Sequence, residues 1–187
     1  MPTRYDPIAN SDWLLAGSPS GVRSQNITQL DCGADLSALT TQVMLSVAVP
    51  LQAGDRISNI TFTSGATAAG TPTNYWFALY DSSSTPALVG QTADQTSTAW
   101  AANTVKTLAL TTSYVVPTTG VYYAAIMVKA STVPTLVGKS VGIAGAAASI
   151  LSSKILAQTS GSSLTDTAPS TITSATTVAN VPLVILT

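Results

Sequence analysis

Strict alternation of apolar and polar side chains begins just after Thr40. In TQVMLSVAV, Val43, Leu45, Val47 and Val49 share one face, and Gln42, Met44, Ser46 and Ala48 the other. A period of two over this length predicts a half-buried strand. PLQAGD then reads as a turn, and RISNITFT as a second strand with Ser58, Ile60 and Phe62 on one side. The next strand, NYWFALYD, places Tyr75, Phe77 and Leu79 opposite Trp76, Ala78 and Tyr80. Large rings on both faces require two covers. One is the core of the domain. The other is the chain's own N-terminal arm, its long C-terminal loop or a neighbouring subunit.

SSSTP leads into PALVGQTAD, which pairs as a hairpin with its predecessor. NTVKTLALT sets Val105, Thr107 and Ala109 against Lys106, Leu108 and Leu110. After PTTG, GVYYAAIMVK is apolar on both faces and reads as a central strand. Beyond Ser131 the pattern weakens: TVPTLVGKS and VGIAG suggest short strands, and SILSSKILAQ a strand or a short helix. GSSLTDTAPSTITSATT reads as a long loop, and VPLVILT as a closing strand with Pro182 at its start or on an edge. About eight strands with Gly/Pro turns and no long helix predict an all-β chain. The expected architecture is an antiparallel β-sandwich, jelly-roll-like, over residues 41–187. Residues 1–40 lack sustained periodicity and carry Pro2, Pro7 and Pro19, so they read as an extended N-terminal arm. Its short apolar clusters, Trp13-Leu14-Leu15 above all, are expected to dock on the chain's own domain or a neighbour. Deleting the chain up to about Ala38 is expected to leave the sandwich folded and abolish attachment.

Composition narrows the chemistry. Only 8 % of the 187 residues are charged, against about 25 % in average soluble domains. The surface must be hydroxyl-rich, covered by neighbouring chains, or both. A net charge of −1 argues against nucleic acid, which demands clustered Lys and Arg. Histidine is absent, which removes every His-based triad and His metal site. All acids are Asp and Cys32 is the one cysteine, so zinc sites and an internal disulfide framework are not expected. Cys32 itself reads as a small apolar filler rather than a reactive thiol.

Asp55, Asp81 and Asp94 sit at strand ends, where loops can gather carboxylates, but Asp is equally an ordinary turn residue. No calcium-loop signature or Gly-rich phosphate loop accompanies them. No enzyme, metal or cofactor is expected. Met1–Ala16 carries Arg4, Asp6 and Asp12 without an apolar core, so the expectation is folding in cytoplasm. The longest weakly apolar run, Val141–Leu151, is about half a membrane span. Asn26 and Asn59 each begin an Asn-Ile-Thr tripeptide, which in a Thr-rich chain reads as chance rather than glycosylation. Among the aromatic residues, Trp100 in its loop is the best candidate for an exposed, sugar-stacking ring. The competing reading folds it over one end of the sandwich.

The runs DRISNITFTSG, NYWFALYDSS…PALVGQTAD and AWAANTVKTLALTTSYVVPTTGVYYAAIMV resemble a β-sandwich segment of virion proteins from tailed bacteriophages of actinobacteria. Members are minor tail, fibre or head-decoration components. The resemblance spans roughly Val49 to Val137 and rests on packing and turn positions, so it transfers no catalytic or ligand residue. It implies a non-enzymatic virion protein assembled in the host cytoplasm, most simply a capsid decoration protein. Its partners would be copies of itself, with a trimer as one form, and phage capsid or tail proteins. The alternative is a tail-tip or tail-fibre subunit that binds a host glycan. On the first reading Tyr5, Trp13, Leu14, Leu15, Trp76 and Tyr80 are the expected subunit or capsid contacts. On the second, Trp100 is the expected glycan contact.

Overall fold

The structure is a computed structural model that describes residues 22–147 and 154–187. In chain order the strands are β1 (Ser24–Gln25), β2 (Ala34–Asp35), β3 (Met44–Leu51), β4 (Arg56–Thr63), β5 (Gly70–Tyr80) and β6 (Leu88–Gln91). They continue as β7 (Val105–Val115), β8 (Gly120–Thr132), β9 (Val137–Ser140), β10 (Ala157–Ser160), β11 (Thr176–Thr177), β12 (Asn180–Pro182) and β13 (Val184–Leu186). One helical turn, α1 (Ile143–Ala146), falls between β9 and β10. No helix among the described residues is long and apolar enough to cross a membrane.

Two antiparallel sheets face each other. The larger runs β11-β10-β3-β8-β5-β6 and the smaller β1-β13-β4-β7, with a short third sheet β12-β9-β2 at one end. This is a β-sandwich. β8, apolar on both faces, lies centrally between β3 and β5 as its pattern predicts, and β5 pairs with β6 as the expected hairpin. Pro182 ends β12 on an edge of the third sheet, where a missing N–H costs no ladder bond.

The core lies between the sheets. Tyr75, Phe77 and Leu79 of β5 meet Ile57, Ile60 and Phe62 of β4 there, all essentially inaccessible. Phe62 and Phe77 join the layers edge-to-face, with centroids 4.9 Å apart. Along one side the sheets are stitched together: Thr92 bridges to Leu110, and the Thr111 hydroxyl donates to the Gln91 carbonyl at 2.6 Å.

The described part of the aperiodic N-terminal region is built into the sandwich. β1 pairs with β13, and β2 pairs with β9. The Asn26 amide works as a substitute peptide group. Its Nδ2 donates to the Pro182 carbonyl at 2.7 Å, and its Oδ1 accepts from the Val184 N–H at 2.9 Å. Leu36 is buried. Two-residue strands carry too little alternation to be read from sequence, which is why this region resembles a free arm on paper.

Candidate functional site

The second face of β5 is covered by the chain itself. Trp76, Ala78 and Tyr80 pack with Met44, Tyr123 and Met127 into a second apolar layer. Residues 161–175 cross it as a strap that contributes Ala168 and Ile172, with Leu164 packed alongside. The strap is mostly Ser, Thr and Ala and forms no ladder of its own, so its backbone polar groups need partners from the sheet. Sheet side chains supply many of them. Trp76 Nε1 donates to the Thr165 carbonyl at 2.8 Å, and the Tyr80 hydroxyl to the Pro169 carbonyl at 2.8 Å. Gln91 grips the strap twice, donating to the Asp166 carbonyl at 2.7 Å and accepting from the Ala168 N–H at 2.8 Å. Gln42 does the same at Leu164, through its backbone carbonyl and its side-chain amide. Burial raises the Tyr80 phenol far above its ordinary pKa.

Trp76 and Tyr80, expected at a contact between chains, are therefore interior residues, because the loop fills the place reserved for a neighbour. Trp100 is likewise not an exposed ring. It is 1 % accessible and packs against Tyr75 and Phe77, with centroids 5.8 and 5.9 Å away. Its Nε1 donates to the Thr104 carbonyl at 3.2 Å, and its own carbonyl accepts from the Ala69 N–H. The loop folds over the end of the core and takes its ring inside, the competing reading of that residue. Tyr5, Trp13, Leu14 and Leu15 lie outside the described residues.

The aspartates are kept apart as turn residues. Asp81 accepts from the Ser83 hydroxyl at 2.6 Å and from the Ser83 and Ala87 N–H groups. Burial raises its pKa, but these bonds and the charge of Lys154 outweigh it and hold the carboxyl below its ordinary value. Asp55 accepts from the Gln52 N–H, and Asp94 from the Asn74 amide. Among the described residues no three His, Cys, Asp or Glu side chains are grouped to hold a metal ion. Burial raises the Cys32 thiol pKa, with the Asp31 charge adding to it, so the thiolate is disfavoured. A cleft of about 190 Å³ beside Leu36, Leu39, Leu45, Leu136 and Pro182 is lined without a charged side chain. It offers packing surface and no acid, base or nucleophile other than Ser and Thr hydroxyls.

One surface stands out that the sequence reading did not single out: the outer face of the smaller sheet. Register places Val105, Thr107 and Ala109 of β7 beside Thr63, Thr61 and Asn59 of β4. Their polar groups satisfy one another, with the Thr61 and Thr107 hydroxyls 2.8 Å apart and Asn59 Nδ2 donating to the Thr187 hydroxyl at 3.1 Å. Val105 and Val115 are 65 % and 58 % exposed on this side. No charged side chain lies among these positions; Arg56 sits at the far end, opposite Val115. The signal was present in NTVKTLALT, where the face opposite Leu108 and Leu110 is uncharged.

Fold and surface define a β-sandwich with internal aromatic layers and one sheet face of low charge. Compared with known proteins, the chain matches no family model and no curated protein.

Proposed function

We propose that this chain is a non-enzymatic structural protein of a bacteriophage virion, held on the capsid surface as a decoration protein. The observation that carries the reading is the outer face of the β1-β13-β4-β7 sheet, where the Thr61 and Thr107 hydroxyls pair with each other, Val105 and Val115 are exposed, and Arg56 at one end is the charge on β4 and β7. Such a face is suited to lying against protein, since between Val105 and Ala109 it has no charge to desolvate. The low charge of the whole chain and the resemblance of Val49–Val137 to virion sandwiches point the same way. The tail-tip alternative loses its best stacking ring, because Trp100 is interior.

The test is to disrupt the gene in a phage that encodes this chain, purify the particles and add back purified protein. Saturable co-sedimentation with heads, and gold label over heads in electron micrographs, is the expected result. Label confined to tail tips would move the protein to the alternative. Absence of the chain from wild-type particles would reject the virion reading altogether.

A further inference from the structure

We propose that a second cleft, between β10 and the strap, is a binding site for a neutral sugar. It opens on the strap side of the sandwich, away from the outer face of the smaller sheet. The inference therefore does not rest on the virion reading, and it leaves that face free.

The cleft has a volume of about 460 Å³, within the range of small-ligand sites. Tyr123 and Ile172 supply an apolar wall, and Ser82, Ser84, Lys154 and Gln158 bring polar groups to it. Gln158 carries the argument. Its neighbour Ala157 lies in the core between the sheets, so the alternation of β10 turns Gln158 to the outer face, where it lines the cleft. The residue is 4 % accessible, yet its side-chain amide has no hydrogen-bond partner among the described residues. Buried polar side chains are as a rule paired. Gln42 and Gln91 spend their amides on the strap, and Gln158 does not. The serines divide in the same way. The Ser83 hydroxyl lies 2.6 Å from an Asp81 carboxylate oxygen and 2.7 Å from the Thr85 carbonyl. Ser82 and Ser84, on the lining, keep hydroxyls that have no partner among the described residues.

Charge selects the ligand class. Lys154 Nζ donates to the Ser83 carbonyl, stands 5.9 Å from the Tyr123 ring centroid, and acts on the Asp81 carboxylate nearby. An anion would meet a cation that a carboxylate already answers, and a cation would find no carboxylate on the lining. What is left is an amide with donor and acceptor side by side, two hydroxyls that do either, and an apolar wall. A sugar ring has the matching parts: adjacent hydroxyls along its edge and C–H groups on its faces.

The test uses the isotope-labelled full chain. The side-chain amide signal of Gln158, identified by its loss in Gln158→Leu, is followed by NMR. Glucose, galactose, mannose and N-acetylglucosamine are titrated in turn, with inorganic phosphate and acetate in parallel. The expected result is a saturable shift with at least one of the sugars and none with the two anions. Gln158→Leu and Ser84→Ala, read from backbone signals around the cleft, should each weaken that binding about fivefold to tenfold. Ser84 is exposed, so its Ala variant stays folded and decides the matter should circular dichroism show Gln158→Leu to be unfolded. No saturable shift with any of the four sugars overturns the proposal. Sugar binding that the folded variants leave unchanged places the ligand elsewhere and overturns it too. A shift with phosphate or acetate makes the cleft an anion site, which is equally fatal to it.

Discussion

Trp76 Nε1 donates to the carbonyl of Thr165 at 2.8 Å, fastening the strap to the ring it covers. The indole does two things at once: it fills the layer beneath the strap and holds the strap down. Trp76→Ala should therefore cost about 3–5 kcal/mol, by loss of transfer free energy and opening of a cavity. Trp76→Phe keeps most of the volume but loses the donor, and should cost about 1–3 kcal/mol. Urea unfolding followed by far-UV circular dichroism checks both, and a Phe variant as damaging as Ala would show that the bond is the dominant part.

Tyr80 and Tyr75 lie on opposite faces of β5 and differ in one respect that can be measured. The Tyr80 hydroxyl donates to the Pro169 carbonyl at 2.8 Å, while the Tyr75 hydroxyl is buried without a partner. Tyr80→Phe should destabilise by about 1–2 kcal/mol, because it removes a strap bond. Tyr75→Phe should be neutral or stabilising, because it removes a desolvated group that gains nothing. Thermal unfolding of the two variants side by side tests the contrast, and equal losses would refute it.

The alternation in TQVMLSVAV, NYWFALY and GVYYAAIMVK made three strands of the large sheet, the central one among them, and the two faces of β5 legible from the sequence. Alternation fixes which side chains share a face; it does not say what lies opposite. The cover over Trp76 and Tyr80 was legible only as three alternatives. The strap is recognised by partners far away in the chain, Gln42, Gln91, Trp76 and Tyr80. Its own Ser- and Thr-rich sequence shows only a loop. Trp100 illustrates the same limit: a loop position suggests exposure, yet the loop turns inward and its ring joins the core through Tyr75 and Phe77.

Asp81 gives stability a direction in pH. Its carboxyl pKa in the folded chain lies below the ordinary 3.8, held down by Ser83, Ala87 and Lys154 against the effect of burial. A lowered folded pKa means the stabilisation is complete above the unfolded value. It is lost as pH falls from there through the folded one. The difference in melting temperature between the unsubstituted chain and Asp81→Asn should be constant near neutrality and shrink below about pH 4. A difference that grows on acidification would reverse the assignment.

Gly138 marks where the third sheet is tightest. A Cβ there would lie 2.3 Å from the Val181 carbonyl oxygen and 2.6 Å from Pro182 Cα, both backbone atoms that cannot rotate away. It would also meet Leu36 Cδ1 at 2.8 Å. Gly138→Ala must push β9 away from β12, at a cost of about 1–3 kcal/mol or more. Gly33→Ala, with nothing within 4 Å of its added Cβ, is the matched control and should have little effect. Denaturation midpoints of the two variants decide the point.

Truncation separates the two halves of the N-terminal region. Removing residues 1–21 leaves every described strand in place, so the sandwich should stay folded with its secondary-structure signal intact. Removing the chain to Ala38 is a different operation, contrary to the expectation from aperiodicity. It takes away β1 and β2, the Asn26 bonds to Pro182 and Val184, and the buried Leu36. Losing Leu36 alone should cost about 2–5 kcal/mol, and the stripped edge of β13 exposes unpaired backbone groups. That sum approaches the whole stability of a typical domain, about 5–15 kcal/mol. The shorter chain should therefore aggregate or unfold at temperatures where the chain lacking only residues 1–21 melts cooperatively. Cooperative melting of both at the same temperature would show that β1, β2 and Leu36 decorate the sandwich without supporting it.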